Sequence, residues 1–251
     1  AFIVAADTPS CNYLISCGSN IEASGGVVGI WRHSKARVRG MQRVQVEPHL
    51  SVTGACSAQW VPIKPKTDPA FLYALIHVML HEVARDRLDL PFLRQRTASP
   101  YLVGPAGYYL RERASRKPLV WDLRSASARV HDAPDIEEAL EGSYAVDAIE
   151  IGPDGDVVGD GLLQGQTAFT RLVGHMLPYA PEWAQTICDV PAEDMRRIAL
   201  DYIGHACVGQ TIDIEGQTMP YRPVAVTLGK TVNNGWGGFE CCWARTVLAT
   251  L

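Results

Sequence analysis

The sequence predicts an α/β fold built on an open, Rossmann-like parallel sheet, and three observations carry that expectation. Short apolar runs at Tyr13–Cys17, Arg43–Val46 and Trp60–Ile63 each break at a Gly, Pro or acidic residue, as buried parallel strands do where they empty into loops at one sheet edge. A helical pattern separates or follows them. Near the end of the chain a further apolar run, Val224–Leu228, closes on a glycine-rich loop and a helix, repeating the architecture of the opening.

Taken in order, Tyr13–Cys17 is the first strand and Gly18 the tight turn that lets backbone approach a ligand. A stretch holding Gly25, Gly26 and Gly29 leads into a helix over 30–38, with Arg32, Lys35, Arg37 and Arg39 toward the end where the helix dipole favours cations. Arg43–Val46 completes a β-α-β unit. It places Glu47 where dinucleotide-binding folds put the acid that grips a ribose, although a solvated strand-end carboxylate fits the same position. No GxGxxG motif accompanies it.

Trp60–Ile63 is the third strand, and Asp68 with Pro69 starts a helix whose apolar residues Phe71, Leu72, Leu75, Ile76, Met79 and Leu80 recur at helical spacing. Asp68 can act as an N-cap worth about 1 kcal/mol, or as a carboxylate accepting two N–H groups from a guanine edge at roughly 1.5–3 kcal/mol per bond. His77 and His81 stand one turn apart without the order or third ligand of a zinc site, and read as structural.

From Leu90 the pattern shortens: a helical piece over 90–96, then short strands at 101–103, 108–110 and 119–121. A Gly-, Asp- and Ser-rich stretch over 124–166 follows, broken by one alternating run at 144–151. Helices return at 167–177, 181–187 and 191–206, a hairpin turns at Glu215-Gly216, and a terminal helix is expected from Cys241. The expected division is a dinucleotide-binding α/β domain over 1–178, carrying an insertion at about 97–166. After it, 179–251 would supply connecting helices and the start of a second α/β domain.

Composition narrows the function. A chain of 251 residues, 47% hydrophobic, can bury the core of one large α/β domain or of one and a fraction. A formal charge of -4 offers no basic face for a phosphate backbone, so nucleic acid is not an expected partner. No run of about 18 apolar residues is present. The seven cysteines, Cys11, Cys17, Cys56, Cys188, Cys207, Cys241 and Cys242, lack the spacing of metal sites and read as buried thiols of a reducing compartment, which points to the cytoplasm. The start at Ala1 has no signal-peptide pattern, and the apolar finish suggests a piece of a longer protein. Gly229-Lys230-Thr231 lacks the upstream Gly of a P-loop, because position 224 is Val, and nucleotide hydrolysis is not expected.

Gly18-Ser19-Asn20, the run from Val46 through Glu47, Pro48 and His49 to Thr53, and Trp60-Val61-Pro62-Ile63-Lys64-Pro65-Lys66-Thr67-Asp68-Pro69-Ala70 together resemble the catalytic subunits of molybdopterin oxidoreductases of the dimethyl-sulfoxide-reductase type. Those read G-x-N, D-P-R-x-T-x-T and W-x-P-I-R-P-G-T-D-x-A. The stretches Tyr179–Trp183 and Val190–Met195 resemble the helix pair that re-enters the family's second domain.

The resemblance implies molybdenum or tungsten held by two molybdopterin guanine dinucleotides. Gly18, Ser19 and Asn20 would line one guanosine, with Glu47, Pro48 and His49 at its ribose and diphosphate and Lys64, Thr67 and Asp68 at its guanine. Gly229, Lys230, Thr231, Asn233 and Asn234 would approach the second dinucleotide. This sequence departs from the pattern at Glu47 for Asp, His49 for Arg, Lys66 for Gly and Ala58 for Asp.

The resemblance further implies a small-molecule substrate. As partners it implies the rest of the catalytic subunit, an iron–sulfur subunit for electron transfer, and a membrane-anchor subunit that would give membrane association. A [4Fe-4S] cluster is implied for the parent protein but not ligated by this chain. No metal ligand or catalytic acid, base or nucleophile is assigned here, and Cys11 reads as a packed thiol. Residues 101–122 and 231–245 look most like the oxidoreductases that convert phenylacetyl-CoA to phenylglyoxylate; reductases and dehydrogenases of sulfur or arsenic oxyanions are the alternative within the family. A non-catalytic nucleotide-binding module and an NAD-linked dehydrogenase are readings from other classes.

Overall fold

The computed structural model describes residues 6–251. Residues 1–5, which include the start assessed for a targeting signal, lie outside the described residues. The chain divides into two compact units: residues up to Leu88 together with Met176–Leu251, and Asp89–His175.

The first unit opens with β1 (Tyr13–Cys17), buried at every position. Two helices follow, α1 (Ile21–Ser24) and α2 (Gly26–Arg39). Gly40 ends α2 in the left-handed region at φ 110°, returning its N–H to the carbonyls of Ala36 and Arg37. Then come β2 (Gln42–Glu47), α3 (Val52–Ala55), β3 (Gln59–Pro62) and α4 (Asp68–His77). Helix α4 buries Ala70, Phe71, Leu72, Ala74, Leu75 and Ile76, nearly its whole circumference, and continues as a single π-helical turn at Val78–Glu82.

The second unit begins with α5 (Leu90–Arg96), capped by Asp89, whose carboxylate accepts from the Phe92 amide at 3.3 Å. Strands β4 (Leu102–Val103), β5 (Leu110–Arg111), β6 (Leu119–Asp122), β7 (Ser127–Val130), β8 (Ser143–Ile151) and β9 (Val157–Thr167) follow, then α6 (Ala168–Met176). Four of these strands form an antiparallel sheet in the order β4-β9-β8-β5, and β6 pairs with β7. Leu102, Leu110, Leu119, Val146 and Ala148 make its core, against which Trp121 and Tyr144 stack with ring centroids 4.3 Å apart.

The chain returns to the first unit through α7 (Pro181–Cys188) and α8 (Ala192–His205). A hairpin, β10 (Thr211–Ile214) and β11 (Gln217–Pro220), precedes β12 (Val224–Leu228), α9 (Lys230–Asn233) and α10 (Gly238–Thr250). The four-stranded sheet runs β12-β1-β2-β3 with every pair parallel. Its register is level: Cys17 lies opposite both Leu228 and Val46, and Val46 opposite Val61.

Several sequence expectations are redrawn. Residues 179–251 do not start a separate domain, because β12 hydrogen-bonds along the whole of β1 and α10 packs on α4 and β12. The inserted unit runs from Asp89 to His175, wider than 97–166. Part of the stretch read as an excursion is the long strand β9, whose glycines suit a crowded pairing: a Cβ on Gly165 would stand 2.6 Å from Leu110 Cδ1. Helix α4 begins at Asp68 itself, with Thr67 at the cap position and no side-chain cap bond.

The loops after β1 and β12 touch backbone to backbone. A Cβ on Gly229, whose φ of -69° is ordinary, would stand 2.0 Å from the Gly18 carbonyl oxygen. Gly229→Ala is therefore expected to destabilise the first unit by roughly 3 kcal/mol, the cost of overpacking against backbone that cannot move aside. A urea-denaturation midpoint unchanged from wild type would show that the two loops are not in this contact.

Candidate functional site

Because four parallel strands end level, the loops that follow them leave the same edge of the sheet. Gly18, at φ 65°, donates its N–H to the Val46 carbonyl at 2.9 Å, and Gly229 donates to the Cys17 carbonyl at 2.7 Å. Each loop is thus tied to the end of a neighbouring strand. The start of α4 belongs to the same edge: Gly237 would place a Cβ 3.2 Å from the Pro69 ring, so the α9–α10 connection lies against the first turn of α4.

Beneath these loops one face of β2 is polar and buried. Arg43 and Gln45 are 0% exposed and Glu47 is 4% exposed, alternating with Val44 and Val46 on the opposite face. Arg43 donates to Glu22 Oε1 at 2.9 Å, to the Thr53 carbonyl at 2.9 Å and to Ser57 Oγ at 2.8 Å. Its remaining contact is to His33 Nδ1 at 3.2 Å; a guanidinium can only donate, so this imidazole nitrogen accepts and is unprotonated. Glu22 Oε1 also takes Arg37 at 3.0 Å. Gln45 donates to the Ser19 carbonyl at 3.0 Å and to Glu47 Oε2 at 2.9 Å, and Glu47 Oε1 accepts from the Ser51 amide at 2.8 Å.

This arrangement locates the residues singled out from the sequence. Asn20 Oδ1 accepts from the Thr53 hydroxyl at 2.8 Å, whose oxygen accepts from the Glu22 amide at 3.0 Å, so Asn20 is oriented by α3. Glu47, expected at a ribose, has a buried side chain whose two oxygens each accept one hydrogen bond within the chain, so it also shapes the loop after β2.

Pro48, His49, Lys64, Lys230, Thr231, Asn233 and Asn234 are exposed, while Gly18, Ser19, Asn20 and Thr67 are half-buried. Lys230 to Asn233, read as loop, form the short helix α9, and their loop lies beside Gly18. Thr67 donates its hydroxyl to the Lys64 carbonyl at 2.6 Å, and Lys64 donates its amide to Cys188 at 3.0 Å. Lys66, where the family pattern has Gly, holds a left-handed φ of 69°.

Asp68 is buried, and among the described residues no Lys or Arg pairs with it. Burial pushes its carboxyl above the usual carboxylate range. Burial likewise raises the thiols around it, Cys17 well above its ordinary value and Cys241 to about 12, with the Asp68 charge as the next cause. Cys11, Cys17, Cys188 and Cys241 are buried free thiols, whereas Cys56 is exposed and Cys207 and Cys242 are half-buried, so the expectation of packed thiols holds for four. Among the described residues no cluster of three His, Cys, Asp or Glu could hold a metal ion. Among the described residues no helix is long and apolar enough to cross a membrane.

Sequence reasoning missed Arg43, Gln45, Glu22 and Thr53. A signal was present: polar residues at every second position of Arg43-Val44-Gln45-Val46-Glu47, a period-2 pattern that in a central parallel strand means a buried polar face and not a wet one.

No family model matches the chain. In sequence it is 27% identical over 242 residues to one of the subunits of the sulfite dehydrogenase of Allochromatium vinosum, covering 87% of this chain and 23% of that protein. It is 31% identical over 83 residues to the molybdopterin-containing subunit of the thiosulfate reductase of Salmonella typhimurium, covering 33% of this chain and 11% of that one. In structure it resembles acetylene hydratase from Pelobacter acetylenicus, with a TM-score of 0.58 over 98% of this chain and 22% of that chain, at 13% identity. That last likeness speaks for the fold: a mixed α/β chain with a parallel sheet. The chain spans less than a quarter of the length of each of these proteins.

Two measurements test the local physics. Lys66→Gly is expected to stabilise the chain by about 1 kcal/mol, since glycine carries no Cβ penalty in the left-handed region; a denaturation midpoint that falls would contradict this. His33 is held below its ordinary 6.5, first by burial and then by the Arg43 charge. Below pH 6.5 the unfolded chain therefore takes up a proton that the folded one resists, and this contribution weakens stability as pH falls. His33→Gln should flatten the dependence of the urea midpoint on pH between about 7.5 and 5.5. An unchanged slope would show that His33 is not in this environment.

Proposed function

We propose that this chain is part of the catalytic subunit of a molybdenum or tungsten oxidoreductase, and that its sheet edge holds the guanosine and diphosphate portion of a molybdopterin guanine dinucleotide. The observation that carries the reading is the gathering of four loops, after β1, β2, β3 and β12, on the level carboxyl edge of one parallel sheet. The strand order β12-β1-β2-β3 supports the reading, since three consecutive parallel strands with a fourth added beside the first is the order at the switch point of dinucleotide-binding sheets. The sequence likeness to a molybdopterin-containing protein supports the same cofactor class.

The residues present fit the group. Asp68 is a buried carboxylate lacking a cation, beside the first turn of α4, and a guanine edge presenting two N–H donors would satisfy it. Lys64 and Lys230 are exposed on the loops and provide positive charge for a diphosphate, and His49, also exposed, can hydrogen-bond to it. When bound, the cofactor supplies two-electron chemistry at its metal. The chain's own residues would bind and orient its nucleotide end: Asp68 as acceptor, Asn20 and Ser19 as loop groups fixed from below, Gly18 and Gly229 as the contact that brings two loops together.

Sulfur oxyanions are the preferred substrate class, because the sequence relatives belong to a sulfite dehydrogenase and a thiosulfate reductase. The phenylacetyl-CoA reading finds no support among them. A catalytic subunit of this kind would work with further subunits for electron transfer, and an iron–sulfur cluster would lie in parts of the parent protein beyond this chain.

Metal analysis with pterin fluorescence on the full-length protein tests the reading, and molybdenum or tungsten with a pterin in stoichiometric amount is the expected result. Asp68→Ala should reduce the guanine nucleotide retained by the full-length protein while leaving stability at pH 7 unchanged or higher, because a carboxyl with a raised pKa is destabilising once ionised. Undiminished nucleotide content in that variant would remove Asp68 from the site.

A further inference from the structure

A glutamine at the centre of a buried parallel strand needs a reason. Its neighbours Val44 and Val46 are what such a strand takes, and an amide there costs free energy unless its polar atoms are bonded. Gln45 meets that cost only in part. Its two N–H groups reach the Ser19 carbonyl and Glu47 Oε2, while its own Oε1 is buried without a partner among the described residues. An apolar residue would remove the orphaned oxygen but would also strip Glu47 Oε2 and the Ser19 carbonyl of their donor, so the side chain is accounted for by what its N–H groups hold.

What the amide does accomplish is a link between two loops. Ser19 belongs to the loop after β1 and Glu47 opens the loop after β2, and Glu47 in turn holds the Ser51 amide. The Glu47 carbonyl is fixed from the other side by Trp60 Nε1 at 3.2 Å. The chain Ser19, Gln45, Glu47, Ser51 therefore sets the spacing of the two loops from a point that solvent does not reach.

We propose that Gln45 is a positioning residue of the carboxyl edge, fixing the loops after β1 and β2 at the separation that a bound guanine nucleotide requires. The inference rests on the reading of that edge as a nucleotide site. Gln45 itself touches no ligand and acts through Ser19 and Glu47.

The test uses the full-length protein and two readouts: guanine nucleotide retained per polypeptide after exhaustive dialysis, measured as nucleotide released by acid, and the urea-denaturation midpoint. Gln45→Leu is compared with Val44→Ala, a core truncation on the opposite face of β2. Gln45→Met, which keeps length and flexibility, is a second variant should the leucine form fail to fold. Loss of the fixed spacing between the two loops predicts nucleotide retention lowered about tenfold in the Gln45 variant. Val44→Ala, at equal or greater loss of stability, should retain nucleotide as wild type does. Equal retention in wild type and the Gln45 variants would overturn the inference, and so would a fall in both Gln45 and Val44 variants that tracks stability alone. Wild-type protein holding no guanine nucleotide would instead overturn the reading of the edge on which it rests.

Discussion

The first unit depends on a constraint set by one strand: β2 buries three polar side chains on a single face, and each must find its partners inside the protein. A buried polar group left unpaired costs about 1–3 kcal/mol, and a buried charge left unpaired costs more. The exposed ion pairs of the second unit, Arg113 with Asp147 and Asp160 or Lys117 with Asp132, are screened by water and add little to stability. The partners of Arg43, Gln45 and Glu47 are not optional in that way. They are drawn from α1, α2, α3 and the loops that leave the carboxyl edge, so satisfying β2 also fixes where those loops run.

Charge within this unit is handled in two opposite ways. Glu22 receives two arginines, Arg43 from the sheet and Arg37 from α2, and α1 is held by the resulting cluster. Asp68 receives none, and its carboxyl is pushed toward the neutral form. A protein that compensates one buried carboxylate twice and leaves another bare has not run short of cations, since Lys64 and Lys66 stand only a few residues before Asp68 and both are exposed.

Much of this is legible in the sequence. The strands at Tyr13–Cys17 and Val224–Leu228 have the bounds their apolar runs indicate, β1 because it is buried at every position and β12 because Pro223 and Gly229 bracket it. Long-range pairing is not written in a local pattern, so β12 reads from sequence as part of a second domain although it lies beside β1. Strand β9 is hidden for a related reason: Gly159, Gly161 and Gly165 lower local β propensity, and the pairing with β8 that overrides it is visible only in three dimensions. At the site, motif spacing locates the loops but not the direction of their side chains. Glu47 stands where a ribose acid would stand, yet its carboxylate turns inward because Gln45 and the Ser51 amide offer it donors that water cannot match in a closed site.

The same separation of inside from outside bears on how the edge could bind anything. On its inner side each loop is fixed by backbone bonds to a strand end or by the buried groups of β2. On its outer side stand His49, Lys64, Lys230, Asn233 and Asn234, all exposed. Exposed cations are individually weak partners, and they strengthen only when a ligand removes water from around them. Affinity at such an edge therefore depends less on how many charged side chains surround it than on whether the backbone beneath them is already in place. In this chain the backbone is placed by groups that never meet solvent, with Gly18 and Gly229 in contact above and Gln45 and Arg43 bonded below.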